Sequence, residues 1–152
     1  MEIKEIETDR DKIEACQRIR DNMGFGPEKK YKVGMSKLVC TEAVQKSMDI
    51  MSSHWFLGIL DSYQFVLTKE EREFLIWELE VRKDRKPDDK PVASGAHTIE
   101  ETADCDWMVK VTGKTDSDQA PCVEQRLEFT DHPAGRWKFY QEWDCILLPE
   151  ER

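Results

Sequence analysis

The most apolar stretch of the chain lies about a third of the way along it and repeats large side chains at helical intervals. Trp55, Ile59 and Tyr63 follow one another four residues apart, and Phe56 and Leu60 lie beside them. Because an α-helix turns once in about 3.6 residues, these side chains share one broad apolar face, which has to pack against another element. The spacing therefore predicts a buried helix, and we expect a sheet from the later part of the chain to cover it.

Two further helices are predicted from their capping residues. Residues 9–23 favour a helix, because an aspartate can cap the start and a glycine–proline segment follows the end. Thr41 is a favourable N-cap for a second helix, and the serines at 52–53 predict a break before the apolar one. Gly58 lies inside the apolar helix, where glycine costs up to about 1 kcal/mol relative to alanine. A close approach of a neighbouring backbone would explain a glycine at this position.

An alternating pattern dominates the second half of the chain. Trp77, Leu79 and Val81 are apolar, whereas the intervening Glu78 and Glu80 are charged. Since successive side chains of a strand point to opposite faces, this alternation predicts a strand with one buried and one solvated face. Short polar turns between consecutive strands favour antiparallel pairing. Further extended segments are predicted at residues 31–40, 93–99, 107–111, 122–129, 137–140 and 145–148, with turns at 116–121, 130–135 and 142–144.

The order of these elements indicates the fold class. Helices that precede strands predict an α+β fold. We expect N-terminal helices packed on one face of an antiparallel sheet of about four to six strands, formed mainly by residues 74–149. A chain of 152 residues has the size of one domain, so residues 1–152 are predicted to form a single domain.

The charge balance narrows the class of partner. The chain has 23 basic and 32 acidic residues, which gives a net charge of −9. A negative field repels phosphate backbones and anionic lipids, so we expect a protein partner with a basic surface and no direct binding to nucleic acid or membranes. The charged segment 1–7 lacks the apolar core of a signal peptide, and no apolar run reaches about 18 residues. The protein is therefore predicted to be cytoplasmic.

Metal and cofactor chemistry has little support in the sequence. The five cysteines are odd in number and widely spaced, which predicts reduced thiols and not a disulfide framework. Zinc sites usually pair ligands about two to four residues apart, and no glycine-rich phosphate loop follows a strand, so we predict no metal site and no cofactor. A zinc site would have to combine distant residues, namely Cys105, Cys122, Cys145, His97 and His132.

A catalytic alternative depends on Asp131 and His132. A carboxylate beside an imidazole can perform general acid–base chemistry, and a cysteine would complete a small hydrolase-like site. The competing interpretation is structural, because Thr130 and Asp131 precede Pro133 between two predicted strands. Such side chains commonly fix turns through hydrogen bonds to the backbone. We favour the turn.

Aromatic and acidic side chains are concentrated in the later strands and loops. The alternation along residues 137–143 cannot place every aromatic ring on the core face. Aromatic rings beside acids are typical of protein-binding surfaces, while ordinary core and cross-strand packing is the competing explanation. The predicted contact loops are 84–90, 115–119 and 142–144. The candidate partner-binding residues are Asp84, Asp88, Asp89, Asp104, Asp106, Asp116, Asp118, Trp107, Glu142, Trp143 and Asp144.

Several short segments carry a pattern that is specific mainly through its order. They are residues 37–44, 55–57, 61–64 and 73–79, then Gln125, Thr130, Asp131 and Pro133, and finally residues 146–150. In this order they resemble the DUF6876 family of uncharacterised bacterial and mobile-element proteins, over about residues 31–150. Residues 1–30 then form an N-terminal helical extension, and His132 stands where an apolar aromatic is more usual. The resemblance implies a phage or mobile-element setting and assigns no catalytic residue.

Together these observations lead to a hypothesis about function. We expect a non-enzymatic, acidic protein-binding module of phage or mobile-element type. In its sharper form the hypothesis is an inhibitor of a host nucleic-acid-binding protein, with carboxylates in the positions of phosphates. The alternatives are the hydrolase-like enzyme that uses Asp131, His132 and a cysteine, and a homodimer with a housekeeping role.

Overall fold

The computed structural model describes residues 9–21, 30–86, 95–98, 107–128, 130 and 132–151. It confirms the predicted α+β fold. None of the helices in these ranges is long and apolar enough to cross a membrane. The elements are α1 (Asp9–Asp21), β1 (Lys30–Lys32), β2 (Val39–Thr41), α2 (Glu42–Met51), α3 (His54–Tyr63), α4 (Lys69–Glu73), β3 (Leu75–Lys86), β4 (Trp107–Lys114), β5 (Val123–Leu127), β6 (Gly135–Glu142) and β7 (Cys145–Leu147), followed by a 3₁₀ turn at Pro149–Glu151.

Capping explains where α2 begins and ends. The Thr41 hydroxyl accepts a hydrogen bond from the backbone N–H of Val44, which confirms it as the N-cap of α2. α2 ends at Ser52, whose φ of 54° is left-handed, so the predicted break before α3 is confirmed. A close backbone approach does not explain Gly58, because a Cβ built there would have no neighbour within 4 Å.

The seven strands of the described residues form one mixed sheet in the order β1-β2-β7-β6-β3-β4-β5. β2 pairs with β7 in parallel, with Val39 opposite Cys145, and the other neighbouring strands are antiparallel. The predicted sheet is therefore corrected in strand number and in pairing. Because β1 and β2 precede α2, the helices are not a separate N-terminal block. Short strands that pair with distant segments leave no signal in local turn spacing, which explains the difference.

α3 packs on the central strands, as the sequence predicted. The rings of Phe56 and Tyr63 lie 5.1 Å and 6.5 Å, centroid to centroid, from aromatic rings of β6 and β3. Phe56, Leu60 and Tyr63 are almost completely buried, whereas Trp55 and Ile59 are only partly buried. The apolar face that the sequence predicted is therefore correct in extent, and its buried centre is rotated towards Phe56 and Leu60.

The alternation along β3 also has the predicted consequence. Trp77, Leu79 and Val81 are buried in the core, while Glu78 and Glu80 are partly exposed on the other face. Of the predicted segment 93–99, the described part contains His97, which forms a parallel bridge with Val123.

Candidate functional site

Strand register brings two of the three predicted contact loops to the same end of the sheet. Leu75, at the start of β3, pairs with Gln141 of β6, and the next residue of β3 pairs with Lys114 of β4. The turn at 142–144 and the loop at 115–119 therefore leave the sheet on either side of the start of β3. Two strand spacings separate them, roughly 10 Å.

The helix α4 joins this end, because it leads directly into β3. We call α4, residues 115–119 and residues 142–144 together the α4 end. A guanidinium nitrogen of Arg72 lies 4.0 Å from a carboxylate oxygen of Asp144, which links α4 to the turn. Asp84 belongs to the opposite end of the sheet, since it lies beyond Val81, which pairs with the start of β6.

Carboxylates outnumber cations at the α4 end. Both aspartates of the 115–119 loop are exposed, and the two acids of the 142–144 turn are partly exposed. A surface with this balance attracts basic partners and increases their association rate. The acids are Glu70, Glu71, Glu73, Asp116, Asp118, Glu142 and Asp144. The cations are Lys69 and Arg72, and Lys114 immediately precedes the 115–119 loop.

Trp143 is the predicted contact residue with the most unusual conformation. Its side chain is 51% exposed, and its φ of 56° lies in the left-handed region. For a bulky side chain this conformation costs about 1–2 kcal/mol. The side-chain amide of Gln141 donates a 2.7 Å hydrogen bond to the Trp143 carbonyl and so holds the turn.

Trp107 does not belong to an accessible surface, so this predicted contact residue is corrected. It is only 1% exposed, and the guanidinium carbon of Arg82 lies 3.3 Å from its ring centroid. This cation–π packing, with burial of the ring in the fold, is the structural alternative that the sequence left open. The predicted residues Asp88, Asp89, Asp104, Asp106 and Asp131 lie outside the described residues.

A buried polar network connects α3 to the sheet beneath the turn. The amides of Gln64 and Gln141 bond reciprocally, at 3.0 Å and 2.7 Å, and the indole N–H of Trp77 donates to Gln141 Oε1 at 2.9 Å. The Tyr63 hydroxyl donates to Gln125 Oε1. Sequence periodicity did not assign these contacts, although residues 61–64 and Gln125 belong to the segments that carry the family resemblance.

Asp61 ties a second loop to α3. Its carboxylate accepts hydrogen bonds from the backbone N–H of Met35 at 2.9 Å and of Ser36 at 3.1 Å, and also from the Ser36 hydroxyl. The carboxylate occupies the space where a Cβ of Gly34 would be, so glycine is needed for this close approach. The turn between β1 and β2 is thus held against the C-terminal half of α3.

His132, the imidazole of the catalytic alternative, lies in the core. It is 3% exposed, its Nδ1 is 2.5 Å from the Ser53 hydroxyl, and its ring centroid is 4.3 Å from that of Trp137. Ser53 also donates to the Met51 carbonyl, so the imidazole N–H at Nδ1 is the donor to Ser53. Burial, and then the charge of Lys12, lower the pKa of His132 to about 4.

This arrangement supports the turn and offers substrate no access to the imidazole. The Thr130 hydroxyl accepts a 3.0 Å hydrogen bond from the backbone N–H of His132, which is the side-chain-to-backbone bond that the turn prediction requires. His132 Nε2 is buried and has no hydrogen-bond partner among the described residues. A general base needs to reach its substrate, and these contacts keep the ring inside the fold.

The described cysteines favour the thiol form where their pKa is shifted. Burial, followed by the carboxylate of Glu71, raises the pKa of Cys122 to about 11. Burial, followed by the charges of Cys145 and Glu151, raises the pKa of Cys40 to about 11. At neutral pH both are weak nucleophiles and weak metal ligands, because the thiolate is the reactive form.

The structure also shows how the residues of the zinc alternative are placed relative to one another. His97 Nε2 lies 3.8 Å from a Glu71 carboxylate oxygen, and the backbone N–H of His97 donates to the Cys122 carbonyl. Within the described ranges, no group of three or more His, Cys, Asp or Glu residues could hold a metal ion. Cys105 lies outside those ranges. His132 contacts Ser53, whereas the Cys145 sulfur accepts a 3.7 Å hydrogen bond from the Lys30 ammonium group.

The comparisons agree with the resemblance found in the sequence. No curated protein and no solved structure matches the chain. The model of a family of unknown function, DUF6876, matches residues 23–152, which is nearly the whole chain. The segments that form the buried network and the Asp61 contact lie within this match. The chain therefore belongs to the family of unknown function DUF6876.

Proposed function

We propose that the protein is a non-enzymatic, acidic protein-binding module that docks through the α4 end on a partner with a basic surface. The observation that carries the proposal is Trp143, a half-exposed ring on a left-handed backbone between Glu142 and Asp144. Core packing does not explain this ring, because half of it is in solvent. Strained residues persist where the surrounding structure holds them, and they concentrate at binding and catalytic sites.

The composition around Trp143 fits a protein partner. Tryptophan is among the residues that contribute most to binding energy at interfaces, and complementary charges speed association and select the partner. The exposed Asp116 and Asp118 lie on the other side of β3 at the same end, so acids flank the ring over roughly two strand spacings. In the proposed interface, the Trp143 ring lies at the centre and the neighbouring carboxylates form an acidic rim.

In its sharper form the proposal is inhibition of a host nucleic-acid-binding protein in a phage or mobile-element setting. Nucleic-acid-binding proteins present Lys and Arg side chains to phosphates. Carboxylates at the α4 end would occupy phosphate positions on such a surface. The net charge of −9 supports this form.

The experiment is affinity capture from a bacterial lysate with the full chain and with a triple variant, Asp116→Asn, Asp118→Asn and Asp144→Asn. We expect saturable capture of a basic protein at about 0.1 M salt, where the Debye length is about 10 Å, and strong loss of capture by the variant. Added DNA should compete with the wild-type chain for the captured protein.

The matched control changes three acids by the same charge elsewhere: Asp84→Asn, Glu14→Gln and Glu128→Gln, all exposed and outside the α4 end. This control should capture as well as the wild type. If both triple variants captured the partner equally poorly, net charge alone would explain the loss, and docking at the α4 end would be contradicted. Failure to recover any saturable partner would contradict the proposal as a whole.

A further inference from the structure

Exposed apolar side chains are concentrated near the α4 end. Among the described residues, the large hydrophobic side chains that are most exposed include Met35 at 88%, Phe65 at 68%, Trp143 at 51% and Val66 at 45%. Chain connectivity and hydrogen bonds place the segments that carry all four next to one another. We call these four residues the apolar quartet.

Met35 is brought to this end by the parallel pairing of β2 with β7. The backbone N–H of Val39, at the start of β2, donates a 2.7 Å hydrogen bond to the carbonyl of Asp144. The turn that carries Met35 immediately precedes β2, and it therefore lies beside the 142–144 turn. Asp61 fixes the same turn through the Met35 N–H.

Phe65 and Val66 are positioned by the hydrogen bonds of Gln64, the residue that precedes them. They follow Gln64 directly, and Gln64 bonds to Gln141, which in turn holds the Trp143 carbonyl. The last turn of α3 and its C-cap thus hold the segments of the whole quartet, through the hydrogen bonds of Asp61 and Gln64. Fixed positions reduce the entropy that a surface loses on binding.

We propose that the apolar quartet anchors the partner, and that the partner contributes an amphipathic segment whose apolar side chains are flanked by Lys and Arg. This inference rests on the proposed function, and it names the part of the partner that the α4 end recognises. Charge complementarity selects this occupant, because the acids around Trp143 favour cations at the rim of an apolar contact.

A second copy of this chain fits the same surface poorly. Self-association through the quartet would bring the Glu142 and Asp144 carboxylates of two copies together, and each copy has a net charge of −9. Like charges placed opposite each other at an interface oppose association. The chain should therefore be monomeric by size-exclusion chromatography with light scattering.

The test uses a synthetic probe and the full chain. The probe is a fluorescent peptide of about 18 leucine and lysine residues with its leucines on one helical face. A scrambled peptide of the same composition has equal charge and no apolar face. We expect saturable binding of the amphipathic peptide by fluorescence anisotropy, and affinity at least about tenfold lower for the scrambled one, since buried apolar anchors dominate binding energy.

Two variants test the quartet directly, Phe65→Ser and Trp143→Asn. Asparagine tolerates positive φ, so the second variant keeps the turn. Each should weaken binding of the amphipathic peptide by about tenfold, whereas Ile13→Ser, which removes an exposed apolar side chain from α1, should leave binding unchanged. Circular dichroism and thermal melting check that every variant is folded.

The outcomes separate this inference from the proposed function. If the triple Asp→Asn variant loses binding while Phe65→Ser and Trp143→Asn retain it, docking at the α4 end survives and the apolar anchor is wrong. Equal affinity for the amphipathic and the scrambled peptide would also show that the apolar anchor is wrong. If the triple variant binds the peptide normally, the electrostatic basis of the proposed function fails. A dimer that Trp143→Asn dissociates would assign the surface to self-association and overturn the inference.

Discussion

At the scale of single residues, three positions show how local geometry constrains this fold. Gly34 gives the Asp61 carboxylate room, Trp143 keeps a costly backbone conformation, and His132 is buried against Ser53. These three features are a close packing contact, a left-handed backbone conformation and a buried titratable ring. Each therefore has a substitution whose effect can be assigned to one cause.

Gly34→Ala should lower the free energy of unfolding by about 1–3 kcal/mol, because its methyl group would collide with the Asp61 carboxylate. The matched control is Gly58→Ala, which has open space around it in the helix interior and should raise stability by up to about 1 kcal/mol. Urea unfolding measures both. Equal effects of the two substitutions would contradict the close approach at Gly34.

Trp143→Asn should raise the free energy of unfolding by about 1 kcal/mol, because asparagine tolerates the left-handed φ that strains tryptophan. Phe65→Asn is the control, since Phe65 is also exposed and its φ is not positive. It should leave stability nearly unchanged. A loss of stability in Trp143→Asn would mean that the ring contributes packing that outweighs the strain.

Stability should depend on pH through His132. Its folded pKa of about 4 lies below the ordinary value of 6.5, so the unfolded chain binds more protons between these values. The neutral His132 imidazole makes its full contribution to the free energy of unfolding above pH 6.5. This contribution is lost as the pH falls towards 4, by at most about 3 kcal/mol. Urea unfolding from pH 4 to 7 should show this slope.

The variant His132→Phe should lose most of that slope, because its ring cannot be protonated. His54→Gln is the control, since His54 is exposed and its replacement leaves the buried imidazole unchanged. An unchanged slope in His132→Phe would place the effect elsewhere. His132→Ala should reduce stability only, whereas a loss of some hydrolytic activity in a folded His132→Ala protein would support the enzyme alternative.

At the scale of elements, α3 joins the sheet through polar contacts as well as apolar ones. Gln141 accepts from Trp77 and Gln64 and donates to Gln64 and the Trp143 carbonyl. Fully satisfied buried networks specify one arrangement of elements, because a shifted arrangement would leave several polar groups unpaired. The network therefore fixes both the packing of α3 and the position of the turn.

Gln141→Leu should destabilise the protein by about 2–4 kcal/mol, since it leaves the Trp77 indole and the Gln64 amide without this partner in the core. Gln119→Leu, in an exposed loop, is the control and should change stability little. Chemical unfolding measures both variants. If Gln141→Leu lowered the free energy of unfolding no more than the control, the Trp77 indole and the Gln64 amide would have found other hydrogen-bond partners.

At the scale of the whole molecule, charge and topology act together. The chain has a net charge of −9, and the sheet order places α4, the 115–119 loop and the 142–144 turn at one end. A negative surface steers basic partners towards the apolar quartet over distances comparable to the Debye length. Long-range attraction and short-range anchoring thus belong to the same surface.

Salt should weaken binding of the amphipathic lysine peptide mainly through a slower association rate. Between about 0.1 M and 1 M salt the Debye length falls from about 10 Å to about 3 Å, which screens the steering field. Stopped-flow fluorescence measures the two rate constants. The triple Asp→Asn variant should show a smaller salt effect on association than the wild type, and an equal effect would contradict steering by the α4 end.

Part of the candidate surface could be predicted from the sequence, because Trp143 and the acids of residues 115–119 and 142–144 belong to turns with local signals. The acids of α4 and the exposed Met35, Phe65 and Val66 were not predicted as contact residues, since tertiary packing decides which side chains remain exposed. The alternation and the short polar turn around residues 142–144 predicted that hairpin, and the structure confirms it. Trp107 could not be assigned in the same way, since a tryptophan beside aspartates fits either a surface or a core. The packing of Arg82 over its ring decides the question.

Local sequence was sufficient to predict the apolar helix α3, the N-cap of α2, the half-buried strand β3 and the sign of the net charge. These features follow from residues within a few positions of one another, whose spacing and capping chemistry act locally. The folded chain was needed to reveal the parallel pairing of β2 with β7, the contact of Asp61 with Met35 and the network through Gln141. These are contacts between segments distant in the chain, and they form because buried polar groups need partners that local sequence does not specify.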